Sequence, residues 1–172
     1  MALLPIITAP DPRLREVSQL VDVVDDTVRT LLDDLLETMY AAPGVGLSAI
    51  QVGIARRIIV IDTAKDPDPP DPIRIVNPEI VWQGDEIGPY EEGCLSFPDQ
   101  YEEVDRPSAV HVQYLDENGE SQIIKADGLQ AIALQHEIDH LDGVLLVDHV
   151  STIKRNIIMR RMKKLRRLQA AE

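Results

Sequence analysis

The stretch His136-Glu137-Ile138-Asp139-His140 constrains this chain more than any other. On an α-helix, residues i and i+4 lie one above the other, so both imidazoles can address one divalent ion while Glu137 stays within reach to move protons. The flanking residues favour that helix. Asp127 suits an N-cap, Gln130 stands three residues on in a capping-box position, and Gly143 suits a left-handed termination, so a helix is predicted from about Gly128 to Leu141. Along it Leu129, Ile132, Ala133, His136 and His140 share one stripe, apolar in its first half and ligating in its second. An apolar pocket beside a metal suits a hydrolase acting on a hydrophobic residue. Ordinary core is the better reading of any one apolar member taken alone, and a surface histidine pair beside acids is unremarkable.

Two ligands do not complete a catalytic site. Cys94 is the only cysteine, which excludes an intrachain disulfide and leaves packing, nucleophile or metal ligand as its roles. It stands between Gly93 and Pro98, in backbone that reads as irregular loop. Two histidines and a thiolate suit zinc or ferrous iron, and three ligands leave a coordination position open for water, as catalytic sites require. His111 and His149 have no partner pattern and are assigned to structure or surface.

The chain of 172 residues is read as one domain, 1–172. With 3% aromatic residues its core must rest on Leu, Ile and Val. No apolar run is long enough for a bilayer, and the first residues lack the pattern of a signal peptide, so a cytoplasmic location with no membrane partner is expected. A net charge of −13 argues against nucleic-acid binding by the body of the chain. Residues 154–172, however, hold eight of the 17 basic residues and one of the 30 acidic ones. Such asymmetry points to a basic tail with a polyanionic partner.

Apolar spacing predicts a helix from Asp25 to Ala42, ended by Pro43-Gly44, and a helix capped by Ser151 reaching about Gln169. The latter has an apolar stripe of Ile153, Ile157, Ile158, Met162, Leu165 and Leu168. Arg57–Asp62 reads as a buried strand, residues 73–76 and 79–82 as two short strands parted by Asn77-Pro78, and 84–89 as loop. Residues 63–72 read as an exposed connector. Strands follow at 104–106, 109–115 and 122–126, the last two joined by a turn at 116–119. The fold class expected is α+β, with antiparallel sheets packed around the His-Glu-x-x-His helix plus a C-terminal helix over 152–172.

Three segments, Gly44-Val45-Gly46-Leu47-Ser48-Ala49-Ile50-Gln51, Glu92-Gly93-Cys94-Leu95-Ser96 and Gln135-His136-Glu137-Ile138-Asp139-His140, together resemble the signature motifs of peptide deformylase, in order and at similar intervals. The similarity extends over nearly the whole chain, including the long C-terminal helix of one bacterial class. Ser48 departs from the alanine commonest at its place, and no functional group is lost by the change. The resemblance implies a metal-dependent hydrolase that removes the formyl group from N-terminal formylmethionine of nascent chains and releases formate. It implies Cys94, His136 and His140 as metal ligands, Fe²⁺ as the physiological ion with Zn²⁺ or Ni²⁺ also accepted, and Glu137 as general base and then acid. It further implies Gln51 and the backbone N–H of Leu95 as oxyanion donors. Val45, Gly46, Leu129, Ile132 and Ala133 would hold the methionine, with Tyr90 and Glu92 at the rim and the peptide backbone pairing near Val45 and Gly93 as an added strand. Asp139 is expected to pair with Arg106. The C-terminal helix is expected to dock near the ribosomal exit tunnel.

Two other readings stand beside this one. A metallopeptidase cleaving internal bonds would normally carry a third His or Glu ligand downstream of the motif, where only Asp142 and His149 are offered. A ribosome- or RNA-binding module with a structural metal is the second.

Overall fold

The computed structural model describes residues 2–64 and 69–171, so part of the expected connector at 63–72 lies outside the described residues. After a 3₁₀ turn at Pro12–Arg15, helix α1 spans Asp26–Ala41, and the Asp25 carboxylate accepts the Val28 N–H at its start. The strands are β1 (Gly46–Ser48), β2 (Ile58–Ile61), β3 (Ile73–Gln83), β4 (Ile87–Cys94), β5 (Phe97–Pro107), β6 (Ala109–Leu115) and β7 (Ser121–Asp127). Helices α2 (Gly128–Leu141) and α3 (Thr152–Ala170) follow. All named pairings are antiparallel: a five-stranded sheet in the order β1-β2-β3-β6-β7 and a separate β4-β5 hairpin.

Every residue of β2 is buried, which explains its unbroken apolar run. Ile58 and Val60 pack with Val28, Leu32, Leu35 and Met39 of α1, while Ile59 and Ile61 pack with Ala131, Leu134 and Ile138 of α2. The larger sheet is thus covered by α1 on one face and α2 on the other. Helix α2 also touches β5, which places it between the sheet and the hairpin. Being enclosed on both sides, it spends Ala131, Leu134, Ile138 and Leu141 on the sheet core and has its remaining face for a site.

Several expectations need correction. The two short strands at 73–76 and 79–82 are one strand, β3, which absorbs Asn77-Pro78 through register shifts and a left-handed Asn77 (φ 51°). That asparagine side chain bonds both the N–H and the carbonyl of Val21, and this offsets the irregular backbone. The expected loop at 84–89 and the irregular segment around Cys94 belong largely to the β4-β5 hairpin. Asp127 stands at the N-cap of α2, but its carboxylate accepts no helix N–H, because Gly128 (φ 54°) turns the chain straight out of β7. Gly143 does end the α2 region left-handed (φ 74°), and a Cβ there would lie 2.6 Å from the Arg15 carbonyl oxygen.

Ser151 caps α3 by accepting the Lys154 N–H. Of its six-residue stripe only Ile158 and Met162 are buried, in a cluster with Leu14, Phe97, Leu145 and Val147. Ile153, Ile157 and Leu168 stay exposed, since α3 meets the body along a narrow seam.

Candidate metal centre

Cys94 closes β4, and residues 95 and 96 make the two-residue turn before Phe97, with which Cys94 pairs. This turn carries the sulfur to the ligating face of α2. Cys94 Sγ lies 3.3 Å from His140 Nε2, and His140 Nε2 lies 3.2 Å from His136 Nε2. The three ligand atoms fall within 4.8 Å of one another. Around a tetrahedral zinc-like ion, two nitrogens would be about 3.3 Å apart and a nitrogen and a sulfur about 3.5 Å apart, so the cluster fits a divalent cation.

The tautomer of His136 agrees with that fit. His136 Nδ1 lies 2.9 Å from Glu92 Oε1. Glu92 is only 5% exposed and is gripped by Arg106, whose Nη2 donates to the same Oε1 at 2.9 Å. Burial alone would raise the Glu92 pKa, but hydrogen bonds from His136 and Arg106 outweigh it and hold the carboxyl below its usual range. The ionised carboxylate fixes the His136 proton on Nδ1, which turns the Nε2 lone pair toward Cys94 and His140. Arg106 Nη1 donates in turn to Asp139 Oδ2 at 2.9 Å, and His149 Nε2 meets that oxygen at 2.9 Å. His149, unplaced by sequence pattern, therefore ends a chain of polar contacts reaching His136. His111 stacks on Trp82, and Asp142 pairs with Arg57, both away from the cluster.

Glu137 is 4% exposed, and its Oε2 has no hydrogen-bond partner among the described residues. Burial, with Glu92 and Asp139 adding to it and His136 opposing, pushes its pKa up to about 7. A buried, unpartnered carboxylate oxygen beside converging ligands is costly unless a cation or a polar substrate meets it. Gly46 is what lets β1 pass this carboxylate: a Cβ there would lie 2.8 Å from Glu137 Oε1. Gln51, on the 3₁₀ turn Ala49–Val52 after β1, directs Nε2 at Ser96 Oγ (3.1 Å) and Cys94 Sγ (3.7 Å). Leu95 follows the ligand in the hairpin turn.

A cavity of about 720 Å³ opens onto His136 and Glu137. Val45, Gly46, Glu92, Gly93, Leu95, Leu129, Ile132 and Ala133 line it, together with Cys94. Tyr90 is not among the lining residues: its ring lies back along β4 beside Gly88. Ile6, Pro98, Asp99 and Tyr101 line the cavity without having been expected there. Tyr101 pairs across the hairpin with Gly93, where a Cβ would meet its ring at 2.7 Å. Only the hairpin register, invisible while 84–89 read as loop and the backbone around Cys94 as irregular, could have located it.

The family profile for polypeptide deformylase matches residues 3–156. The chain belongs to the polypeptide deformylase family. A peptide deformylase of Phenylobacterium zucineum is 51% identical over 164 residues, spanning 95% of this chain and 97% of its own. That of Methylocella silvestris is 54% identical over 175 residues, spanning 100% of this chain and 89% of its own. Among solved structures, the peptide deformylase of Ehrlichia chaffeensis superposes with a TM-score of 0.93 at 41% identity, covering 98% of this chain and 99% of that one. A Legionella pneumophila peptide deformylase gives 0.91 at 44%, covering 99% of each. The enzyme is therefore a metal-using hydrolase of protein synthesis, acting on formylmethionyl peptides to remove the N-terminal formyl group. Among its described residues no helix is long and apolar enough to cross a membrane.

Proposed function

We propose that Cys94, His136 and His140 hold the metal of this deformylase and that Glu137, Gln51 and Leu95 carry the hydrolysis. The unpartnered Oε2 of the Glu137 carboxylate, which lines the groove, together with three converging ligand atoms, is the observation that supports this most. A divalent ion there supplies Lewis acidity, which makes water a competent nucleophile near neutral pH. Fe²⁺ is the proposed physiological ion, and the same two-nitrogen, one-sulfur set accepts Zn²⁺ or Ni²⁺.

Glu137 takes a proton from the attacking water as its oxygen bonds to the formyl carbon. Negative charge gathers on the formyl oxygen, and the Gln51 side-chain amide and the Leu95 backbone N–H donate to it. As the C–N bond breaks, Glu137 passes its proton to the departing nitrogen, leaving formate and a free α-amine. The apolar residues Val45, Leu129, Ile132 and Ala133, with Gly46, take the methionine side chain. β1 is an edge of the larger sheet and β4 has only β5 as partner, so a peptide backbone entering between Val45 and Gly93 finds unpaired strand edges on both sides. Glu92 serves as an anchor for His136.

The whole chain acts as one domain in the cytoplasm. The exposed basic face of α3 meets the ribosome near the exit tunnel, supported by the charge of residues 154–172 and the narrow seam by which α3 meets the body. Glu137→Ala tests the central assignment: one ion per chain stays bound while formate release falls by about 10²–10⁴. Turnover near the parent rate with metal retained would remove Glu137 from the proton-transfer role.

A further inference from the structure

We propose that Ser48 is a positioning residue for this deformylase, its hydroxyl serving as a second donor on the Gln51 amide oxygen that holds the amide and raises the donor strength of its N–H groups. The inference rests on the oxyanion role assigned to Gln51 above.

Ser48 closes β1 and is fully buried, so its hydroxyl has no water to turn to. Among the described residues the hydroxyl has one partner, Gln51 Oε1, at 3.0 Å. The Ser48 backbone N–H donates to the same oxygen, also at 3.0 Å. A backbone N–H is always a donor, so the reverse orientation of the amide would set its NH₂ against that N–H, and Oε1 must face Ser48. The hydroxyl, whose proton is free to rotate, then takes the second lone pair of Oε1. Both acceptor sites of the amide oxygen are thereby filled from one residue.

The consequence appears at the other end of the amide. Nε2 must point away from β1, and there it meets Ser96 Oγ at 3.1 Å and Cys94 Sγ at 3.7 Å. Ser96 is also fully buried and takes one of the two N–H bonds. The second N–H is directed toward the sulfur ligand, beside which the formyl oxygen would sit. Two donors on Oε1 draw electron density from the nitrogen and make its N–H groups stronger donors, because hydrogen bonds in a chain polarise one another. A serine here does more than cap the 3₁₀ turn that follows it. It tunes a group three residues away that is aimed at the reacting atoms.

The role is separable from capping by a double-mutant cycle with Ser48→Ala and Gln51→Leu, measured on formyl-Met-Ala-Ser and by the thiolate-to-metal charge-transfer band of the Co²⁺-loaded protein. Ser48→Ala alone lowers kcat about three- to tenfold, the effect of one net hydrogen bond, with KM within about twofold. It moves the band to lower energy, because the sulfur receives a weaker hydrogen bond. In the Gln51→Leu background the same change has no further effect on kcat or on the band. An unchanged kcat and band for Ser48→Ala, or an equal loss in both backgrounds, would overturn the proposal and leave Ser48 as a cap. If Gln51→Leu leaves kcat intact, the oxyanion assignment fails instead, and the band alone then decides whether Ser48 controls the amide.

Discussion

The Nδ1 of His136 and the Oε1 of Glu92 lie 2.9 Å apart, with Arg106 donating to both oxygens of the carboxylate. One strand, β4, therefore supplies both the Cys94 sulfur and the anchor that orients a helical ligand. Replacing Glu92 with Gln keeps the size but removes the charge that fixes the His136 tautomer. The expected result is a decrease in metal affinity of about 10- to 100-fold, measured by competition with a chelating dye. Unchanged affinity would mean that packing alone orients the ring.

Gly46 lies against the catalytic carboxylate, where a Cβ would come to 2.8 Å from Glu137 Oε1. Gly46→Ala must displace Glu137 or β1. A displacement near 1 Å at the reacting group lowers kcat by about 10²-fold. Metal content should stay at the parent level, because the three atoms nearest this position all belong to Glu137. Equal reductions of metal and activity would instead indicate collapse of the packing between β1 and α2.

The turn that follows α2 is held by Asp148, which accepts from Arg15 Nη2 at 3.0 Å and from the Leu145 N–H at 2.8 Å. Burial would raise its pKa, but these donors outweigh burial and lower it from 3.8. A carboxylate lowered on folding adds stability above its unfolded pKa and loses it as the pH falls through the folded value. Asp148→Asn should cost about 1 kcal/mol at pH 7, a modest figure because Arg15 is largely solvent-screened. The gap between variant and parent should close below about pH 4 in urea titrations. A gap that stays constant with pH would assign the effect to packing.

Basic residues of α3 can be altered without touching its buried seam, whereas deleting the helix would uncover Ile158 and Met162. Lys163→Glu, Arg166→Glu and Arg167→Glu together should weaken co-sedimentation with ribosomes. The slope of log affinity against log salt should become shallower by about one unit for each ribosomal phosphate that is no longer neutralised. Formate release from a short peptide should be unaffected. Undiminished binding would remove α3 from the docking surface.

Much of this is legible in the sequence because periodic burial leaves a local trace. The His136–His140 spacing sets a helical face by itself, and the unbroken Ile58–Ile61 run signals a strand buried on both sides. The β4-β5 hairpin leaves little trace. Its strands are rich in Glu, Asp, Gly and Pro and bury few side chains, so no apolar alternation marks them. Tyr101 and Asp99 stay hidden with it. The contact of His149 with Asp139 joins residues ten apart across the end of α2, a relation fixed by tertiary packing rather than by spacing. Ser48 is visible as a departure from a motif, but what its hydroxyl does depends on the turn that brings Gln51 back over it.

The most direct test of the account is metal analysis of anaerobically purified protein together with formate release from formyl-Met-Ala-Ser, before and after replacing Cys94 with Ala. The parent should hold one divalent ion per chain and release formate in proportion to its metal content, and the variant should lose both. Formate release that persists in metal-free protein, or full metal content in the Cys94 variant, would contradict it.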